Sequence, residues 1–175
     1  MPLFVTQFLG AMNDNLFKQA LVVLVTFRLA QALDINGQIF VTVAAGVFIL
    51  PFFLFSATAG QLADKYEKSR SIRIIKAFEI AIMALAVVGY FMEAPYFLMA
   101  VLFLMGTQSA FFGPLKYGIL PDHLRDDELI GGNALIEGAT FMAILIGTIA
   151  GGLIILTERG TELVSFGVIL FAVLG

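Results

Sequence analysis

Cysteine is absent from the 175 residues, and with it go disulfides, thiolate metal ligation and thiol catalysis. Charge is scarce. Asp, Glu, Lys and Arg make up 13% of the chain, about half the roughly 25% of an ordinary soluble domain. The single histidine, His123, stands with Asp122, Asp126 and Asp127 in a stretch that reads as a solvated loop, which needs no metal. No Ser–His–acid set, no phosphate-cradling glycine loop after a strand and no metal-spaced cluster occurs. The sequence therefore predicts no catalytic residue, no metal and no cofactor. Basic residues are few, so nucleic acid is not a suggested partner. What is present is apolar: 60% of residues are hydrophobic and eighteen are Phe. That composition implies an all-α, multi-pass membrane protein with membrane lipids as its solvent.

A helix needs about 20 apolar residues to cross a ~30 Å hydrocarbon core. Five stretches qualify, at about 3–29, 39–63, 72–92, 95–120 and 129–157, and a partial sixth occupies 162–175. The N-terminus lacks a basic region and a small-residue cleavage site, so it reads as the first membrane helix and not as a cleaved signal. At 1.5 Å per residue the segment Leu163–Gly175 extends only about 20 Å, so the chain is expected to be a fragment that stops inside helix 6. Lys65, Lys68, Arg70 and Arg125 lie in the connections 64–71 and 121–128, with Arg73, Lys76 and Lys116 close by. The connections near 34–37, 93–95 and 158–161 hold few bases. The basic excess predicts a cytoplasmic N-terminus and places the first set of loops inside. Ala59-Gly60-Gln61-Leu62 and Ala150-Gly151-Gly152-Leu153 recur 91 residues apart, and helices 1 and 4 start about 92 apart, a spacing that suggests two inverted three-helix repeats.

Charge inside a membrane is costly and usually faces a cavity or a partner helix. Asn13-Asp14-Asn15 and Lys18 interrupt helix 1, and Asp14 precedes Lys18 by four residues, the favourable order for a helical pair. They read either as a polar patch in a substrate path or as an ion pair that fixes packing. Glu137 lies one turn beyond Asn133 on helix 5, either as a site for a cation or proton or as a cap for a neighbouring loop. Beside it Ala139, Ala143, Gly147 and Gly151 form a small-residue stripe suited to close helix packing. Lys76 and Glu79 read as a local pair on helix 3, with Lys76 snorkelling toward the interface. A run of 22 uncharged residues, Ala94–Leu115, ends at Gly113-Pro114-Leu115-Lys116-Tyr117-Gly118. Glycine and proline there are expected to loosen the helix end. Lys116 by itself reads as a snorkelling anchor at the end of that run.

Gly60-Gln61-Leu62-Ala63-Asp64-Lys65-Tyr66-Glu67-Lys68-Ser69-Arg70 resembles the loop signature between helices 2 and 3 of the major facilitator superfamily. Gly60, Leu62, Ala63, Asp64 and Lys65 match the pattern, whereas Glu67 stands in place of a second glycine, Lys68 in place of an arginine and Ser69 in place of a base. The resemblance makes Gly60, Asp64 and Lys65 a conformational latch, with the glycine permitting close helix contact. The run from Gly106 to Pro121, with Phe8–Asn15 and Gly132–Thr140, is similar to the bacterial lysophospholipid transporter branch of that superfamily.

That resemblance implies the N-terminal six-helix half of a twelve-helix major facilitator fold, incomplete in helix 6. It implies movement of lysophospholipids, chiefly lysophosphatidylethanolamine, across the bacterial inner membrane to the cytoplasmic leaflet. An acyltransferase partner, separate or fused together with an acyl-carrier-protein synthetase, would restore the second acyl chain there. The C-terminal half of the transporter would be the other partner. Asp14, Asn15, Lys18, Gln108, Lys116 and Glu137 are the expected translocation residues, with Lys116 meeting the phosphate and Asp14 the ammonium. Two other readings remain at this level: a proton-coupled exporter of a small solute with Asp14 or Glu137 carrying the proton, and a non-transporting membrane anchor for an acyltransferase.

Overall fold

A computed structural model describes residues 2–34 and 36–175; Ile35, in the turn read between helices 1 and 2, lies outside the described residues. Six α-helices follow one another: α1 (Pro2–Leu24, continued by a π-helical turn Val25–Leu29), α2 (Gly37–Lys65), α3 (Lys68–Phe91), α4 (Pro95–Gly118), α5 (Leu129–Ile154) and α6 (Gly160–Leu174). By length and composition α2, α3, α4 and α5 can each cross a membrane. The chain is thus an all-helical multi-pass membrane protein. The first predicted membrane helix, α1, does not meet that test of composition, because Asn13–Asn15 and Lys18 break its apolar run. It is instead the central helix, with Phe17, Leu21, Leu24 and Val25 fully buried. Helix α6 is 15 residues long.

The helix starts repeat. α4 begins 93 residues after α1 (Pro95 against Pro2), α5 92 after α2 (Leu129 against Gly37) and α6 92 after α3 (Gly160 against Lys68). The packing repeats as well. α1 packs most heavily on α5 and α4 on α2; α1 also contacts α6, as α4 contacts α3. Two three-helix units related by this spacing and packing match the plan of inverted repeats. The matched glycine motifs do not share a role, however. A Cβ on Gly151 would lie 2.4 Å from the Leu16 carbonyl oxygen, while one on Gly60 would meet nothing within 4 Å. Gly151 is needed at the α1–α5 crossing; Gly60 is not a close-approach glycine within this chain.

The small-residue stripe of α5 is buried at Ala139, Ala143, Gly147 and Gly151 and lets α1 approach backbone to backbone. Gly106 does the same on α4, where a Cβ would sit 2.4 Å from the Phe48 carbonyl oxygen of α2. Tyr90 of α3 donates from its hydroxyl to the Phe17 carbonyl at 2.7 Å and packs edge-on to the Phe17 ring, so the bundle centre carries a satisfied polar group. Large apolar side chains such as Phe53, Leu54, Phe78 and Phe141 point outward, as a lipid-facing surface requires.

Two expectations about helix ends are corrected. Gly113-Pro114 does not loosen α4, which runs unbroken to Gly118; Pro114 leaves a single backbone bond unmade, and the Lys116, Tyr117 and Lys68 contacts hold the final turn. The predicted loop 64–71 shrinks to Tyr66 and Glu67. Glu67 makes this possible as the N-cap of α3: its carboxylate accepts from the backbone N–H of Ser69 at 2.9 Å and of Arg70 at 2.6 Å. Its backbone (φ −61°, ψ 123°) is open to any residue, so no second glycine is needed.

The N–H groups of Arg70 and Ser69 hold the Glu67 carboxyl below its ordinary value of 4.5. The cap therefore contributes fully above the ordinary carboxylate range and is lost as pH falls through the depressed value. A Glu67→Gln variant should show a shallower acid limb in a pH series of thermal unfolding. An unchanged acid limb would remove Glu67 from the acid sensitivity.

Candidate functional site

The polar residues of α1, α3, α4 and α5 converge on one cavity of about 460 Å³. Its wall includes Asp14, Asn15 and Lys18 of α1, Lys76 and Glu79 of α3, and Gln108, Ser109 and Lys116 of α4, together with Phe48 and Phe52 of α2 and Phe112 of α4. The polar side chains reach it because α1 is central: one face of α1 packs on α5 through the glycine stripe, leaving the Asp14–Lys18 face toward α3 and α4. The lining mixes charge with aromatic rings: the Lys18 ammonium lies over the Phe48 ring, and Phe112 stands one turn from both Gln108 and Lys116 on α4.

Glu79 is the hub. It is 2% exposed and accepts from Lys76 Nζ at 2.6 Å, Gln108 Nε2 at 3.0 Å and Asn13 Nδ2 at 3.4 Å, so it joins α3, α4 and α1. At 1.5 Å per residue it lies about 16 Å into α3 from Lys68, well away from the helix end. Lys76 does not snorkel to the interface as expected: Glu79, one turn further along α3, draws its ammonium into the cavity.

Lys116 is also inside. It is 7% exposed, pairs with Glu137 of α5 at 3.2 Å and lies 4.4 Å from the centre of the Tyr117 ring. The Tyr117 hydroxyl donates to the same Glu137 carboxylate. This three-residue contact bridges α4 and α5 at the cavity wall. It corrects the picture of Lys116 as an anchor at the membrane edge: a buried ammonium needs a counter-charge, and Glu137 supplies it.

Asp14 and Lys18 do not form the expected helical pair. Asp14 accepts from Ser109 Oγ of α4 at 2.6 Å. Lys18 donates to Asn15 Oδ1 at 3.0 Å and lies 4.9 Å from the Phe48 ring centroid. No carboxylate lies within 4.0 Å of Lys18 Nζ among the described residues. Each side chain follows its nearest partner on another element or in its own turn. Asn15 is held in turn by donating to the Ala11 carbonyl at 2.8 Å.

Of the predicted translocation residues, Asp14, Asn15, Lys18, Gln108 and Lys116 line the cavity, and Glu137 reaches it through Lys116. Sequence reasoning passed over Lys76 and Glu79 as site residues, and also Ser109, Tyr117 and the three phenylalanines. Glu79 carried a usable signal, an acid far inside an apolar helix; the phenylalanines carried none among eighteen. His123 bonds the Ile119 carbonyl through Nδ1 at 3.1 Å, and no group of metal-binding side chains occurs among the described residues.

The predicted latch residues lie apart from the cavity. Asp64 makes no side-chain hydrogen bond or ion pair among the described residues, and Lys65 lies 5.6 Å from the Tyr66 ring centroid. The tie at this turn runs through Lys68, which bonds the Gly118 carbonyl and Asp122, both at 2.7 Å. A cation at the C-terminus of α4 is also favourable to the helix dipole. This tie puts the α2–α3 turn and the α4–α5 connection at one end of the bundle. Arg28 donates to the Thr157 carbonyl at 3.2 Å, which puts the α1–α2 and α5–α6 connections at the other.

The chain is similar to curated proteins named lysophospholipid transporter LplT. The relatives from Salmonella schwarzengrund (strain CVM19633) and Salmonella newport (strain SL254) are each 32% identical over 154 residues, 88% of this chain and 36% of theirs. This chain thus spans about a third of the length of the curated relatives that it matches. No family model matches it. No solved structure matches it.

Proposed function

We propose that this chain, a homologue of the lysophospholipid transporters over most of its length, forms part of a transporter that moves lysophosphatidylethanolamine-like lipids across a bacterial inner membrane to the cytoplasmic leaflet. The cavity is the observation that carries this reading: a lysophospholipid has a charged head and an apolar chain, and the cavity is lined by both charged side chains and phenylalanines. The remainder of the transporter supplies the facing wall, and the cavity is exposed to each leaflet in turn as the two halves rock. The N-terminus is cytoplasmic, because Lys65, Lys68, Arg70, Arg73 and Arg125 gather at the end that holds the α2–α3 turn. The delivered lipid needs a second acyl chain, so an acyltransferase, fused or separate, is the functional partner.

The test uses the full-length protein in a strain without its own lysophospholipid transporter. Labelled lysophosphatidylethanolamine is given to spheroplasts and its conversion to diacyl lipid is followed. Conversion above the empty-vector level is expected. With the acyltransferase shown active on inner-leaflet lipid, failure to convert would sink the lipid assignment. Transport of a small solute driven by the proton gradient would then favour the exporter, and intact remodelling without transport would favour the membrane anchor.

A further inference from the structure

Only Tyr66 and Glu67 join α2 to α3, yet each of these helices packs on α4 and not on the other. Beside that turn a groove of about 450 Å³ is lined by all three helices. Phe111 and Leu115 of α4 line it with Ala59 and Ala63 of α2 and Ile74 and Ile75 of α3, and none of these side chains is polar. Leu62 and Ile74, which also line it, are exposed, as side chains that face lipid are. Its polar lining is Tyr66, Glu67, Arg70 and Ser71, all at the turn or in the first residues of α3. No residue lines both this groove and the cavity of the candidate site.

We infer that the groove holds a resident anionic phospholipid of the leaflet at that end of the bundle, with its phosphate on Arg70 and one acyl chain between α2 and α3. This lipid is a fixed companion of the bundle and not cargo.

Charge complementarity supports it. Arg70 is exposed, and its guanidinium makes no hydrogen bond or ion pair among the described residues. The one acid that lines the groove, Glu67, is spent on capping α3 through the N–H groups of Ser69 and Arg70. Tyr66 adds a hydroxyl donor, and Lys65 brings a second cation 5.6 Å from its ring centre. A guanidinium presents five N–H donors in a planar fork that matches a phosphate. Basic pockets between helices at the cytoplasmic side take anionic head groups in this way. A zwitterionic head would bring an ammonium toward two cations and a carboxylate already in use.

The direction fits as well. From Arg70 to Ile75 is five residues, about 8 Å along α3. The head group therefore lies at the helix end, and the apolar lining runs from there toward the bilayer centre, as an acyl chain of that leaflet does.

The test uses purified full-length protein in detergent, with phosphatidylglycerol as the probe and phosphatidylcholine of the same chains as the comparison. Bound lipid is counted by native mass spectrometry. The wild type should retain phosphatidylglycerol about fivefold better, the scale of one basic residue at a membrane surface. Arg70→Gln should abolish that preference. Arg125→Gln should keep it, because Arg125 at the same end is paired with Asp127 and Glu128. Saturating lysophosphatidylethanolamine should leave the phosphatidylglycerol bound. Ala63→Leu should fill the groove and lose the lipid; if that variant fails to fold, Arg70→Gln, at an exposed position, still decides. A wild type without preference overturns the inference. So do equal losses in Arg70→Gln and Arg125→Gln, which would mean diffuse surface charge, and displacement by lysophosphatidylethanolamine, which would put the lipid in the translocation cavity. A folded Ala63→Leu that binds as the wild type does removes the groove. None of these readouts depends on transport, so the inference and the lysophospholipid reading fail separately.

Discussion

Replacing Glu79 with alanine should destabilise the protein by about 3–5 kcal/mol, the range for removing one partner of a buried ion pair. The carboxylate is the common acceptor for Lys76, Gln108 and Asn13, and it is 2% exposed. Without it the Lys76 ammonium stays in the bundle with no counter-charge. The double variant Glu79→Met, Lys76→Met should be markedly milder, because replacing both charges by apolar groups of similar volume removes the desolvation cost along with the attraction. Thermal unfolding in detergent, run as a double-mutant cycle, reads the coupling. A double variant as unstable as Glu79→Ala would mean that Gln108 and Asn13, rather than Lys76, are what Glu79 serves.

The α1–α5 crossing should also be intolerant of change. Gly151→Ala places a methyl group 2.4 Å from the Leu16 carbonyl oxygen, and Gly147→Ala places one 2.3 Å from that of Met12. Both obstacles are backbone and neither can rotate away, so the helices must part. Overpacking of this kind costs about 1–3 kcal/mol for each substitution. The pair should lose most of the folded protein, since both act on one contact. Gly60→Ala and Gly138→Ala are the matched controls: a Cβ at either meets nothing within 4 Å, and alanine is the better helix former by about 1 kcal/mol. Equal losses at all four positions, read by monodisperse yield and melting temperature, would overturn the close-approach account.

The consequence for function is that stability and site are built on the same helix. The face of α1 that packs on α5 fixes the direction of the rest of the helix, and Asp14 and Lys18 point into the cavity for that reason, while Asn15, whose Cβ faces Gly147 of α5, lies at the edge of the helix contact. Parting α1 from α5 therefore displaces the candidate head-group residues as well as loosening the bundle.

Hydrophobic runs alone carried the membrane class, the helix count and most of the helix positions, because a bilayer admits no spanning structure here except an apolar helix with its backbone bonds closed internally. The repeat was legible too, as a spacing of about 92 between helix starts, and so was the cost of Asp14, Lys18 and Glu137 lying within apolar helices. Partner choice was legible for Lys76 and Glu79, one turn apart on α3 and bonded at 2.6 Å, and not for the charges that find partners on other helices. Spacing along α1 suggested an Asp14–Lys18 pair, yet Asp14 bonds Ser109, which is 95 residues away in sequence. Lys76 and Lys116 read equally well as interfacial anchors, and only the positions of Glu79 and Glu137 turned them inward. A sequence gives the periodicity of one helix and says which face is polar. Which residues of other helices meet that face depends on crossing angles and on the depth at which helices touch, and here those are set by backbone contacts at Gly147, Gly151 and Gly106. The inventory of charges was thus determined by the sequence; which charges are neutralised and which remain open was decided by the packing, because a pair forms only where two side chains reach within a few ångströms of each other in three dimensions.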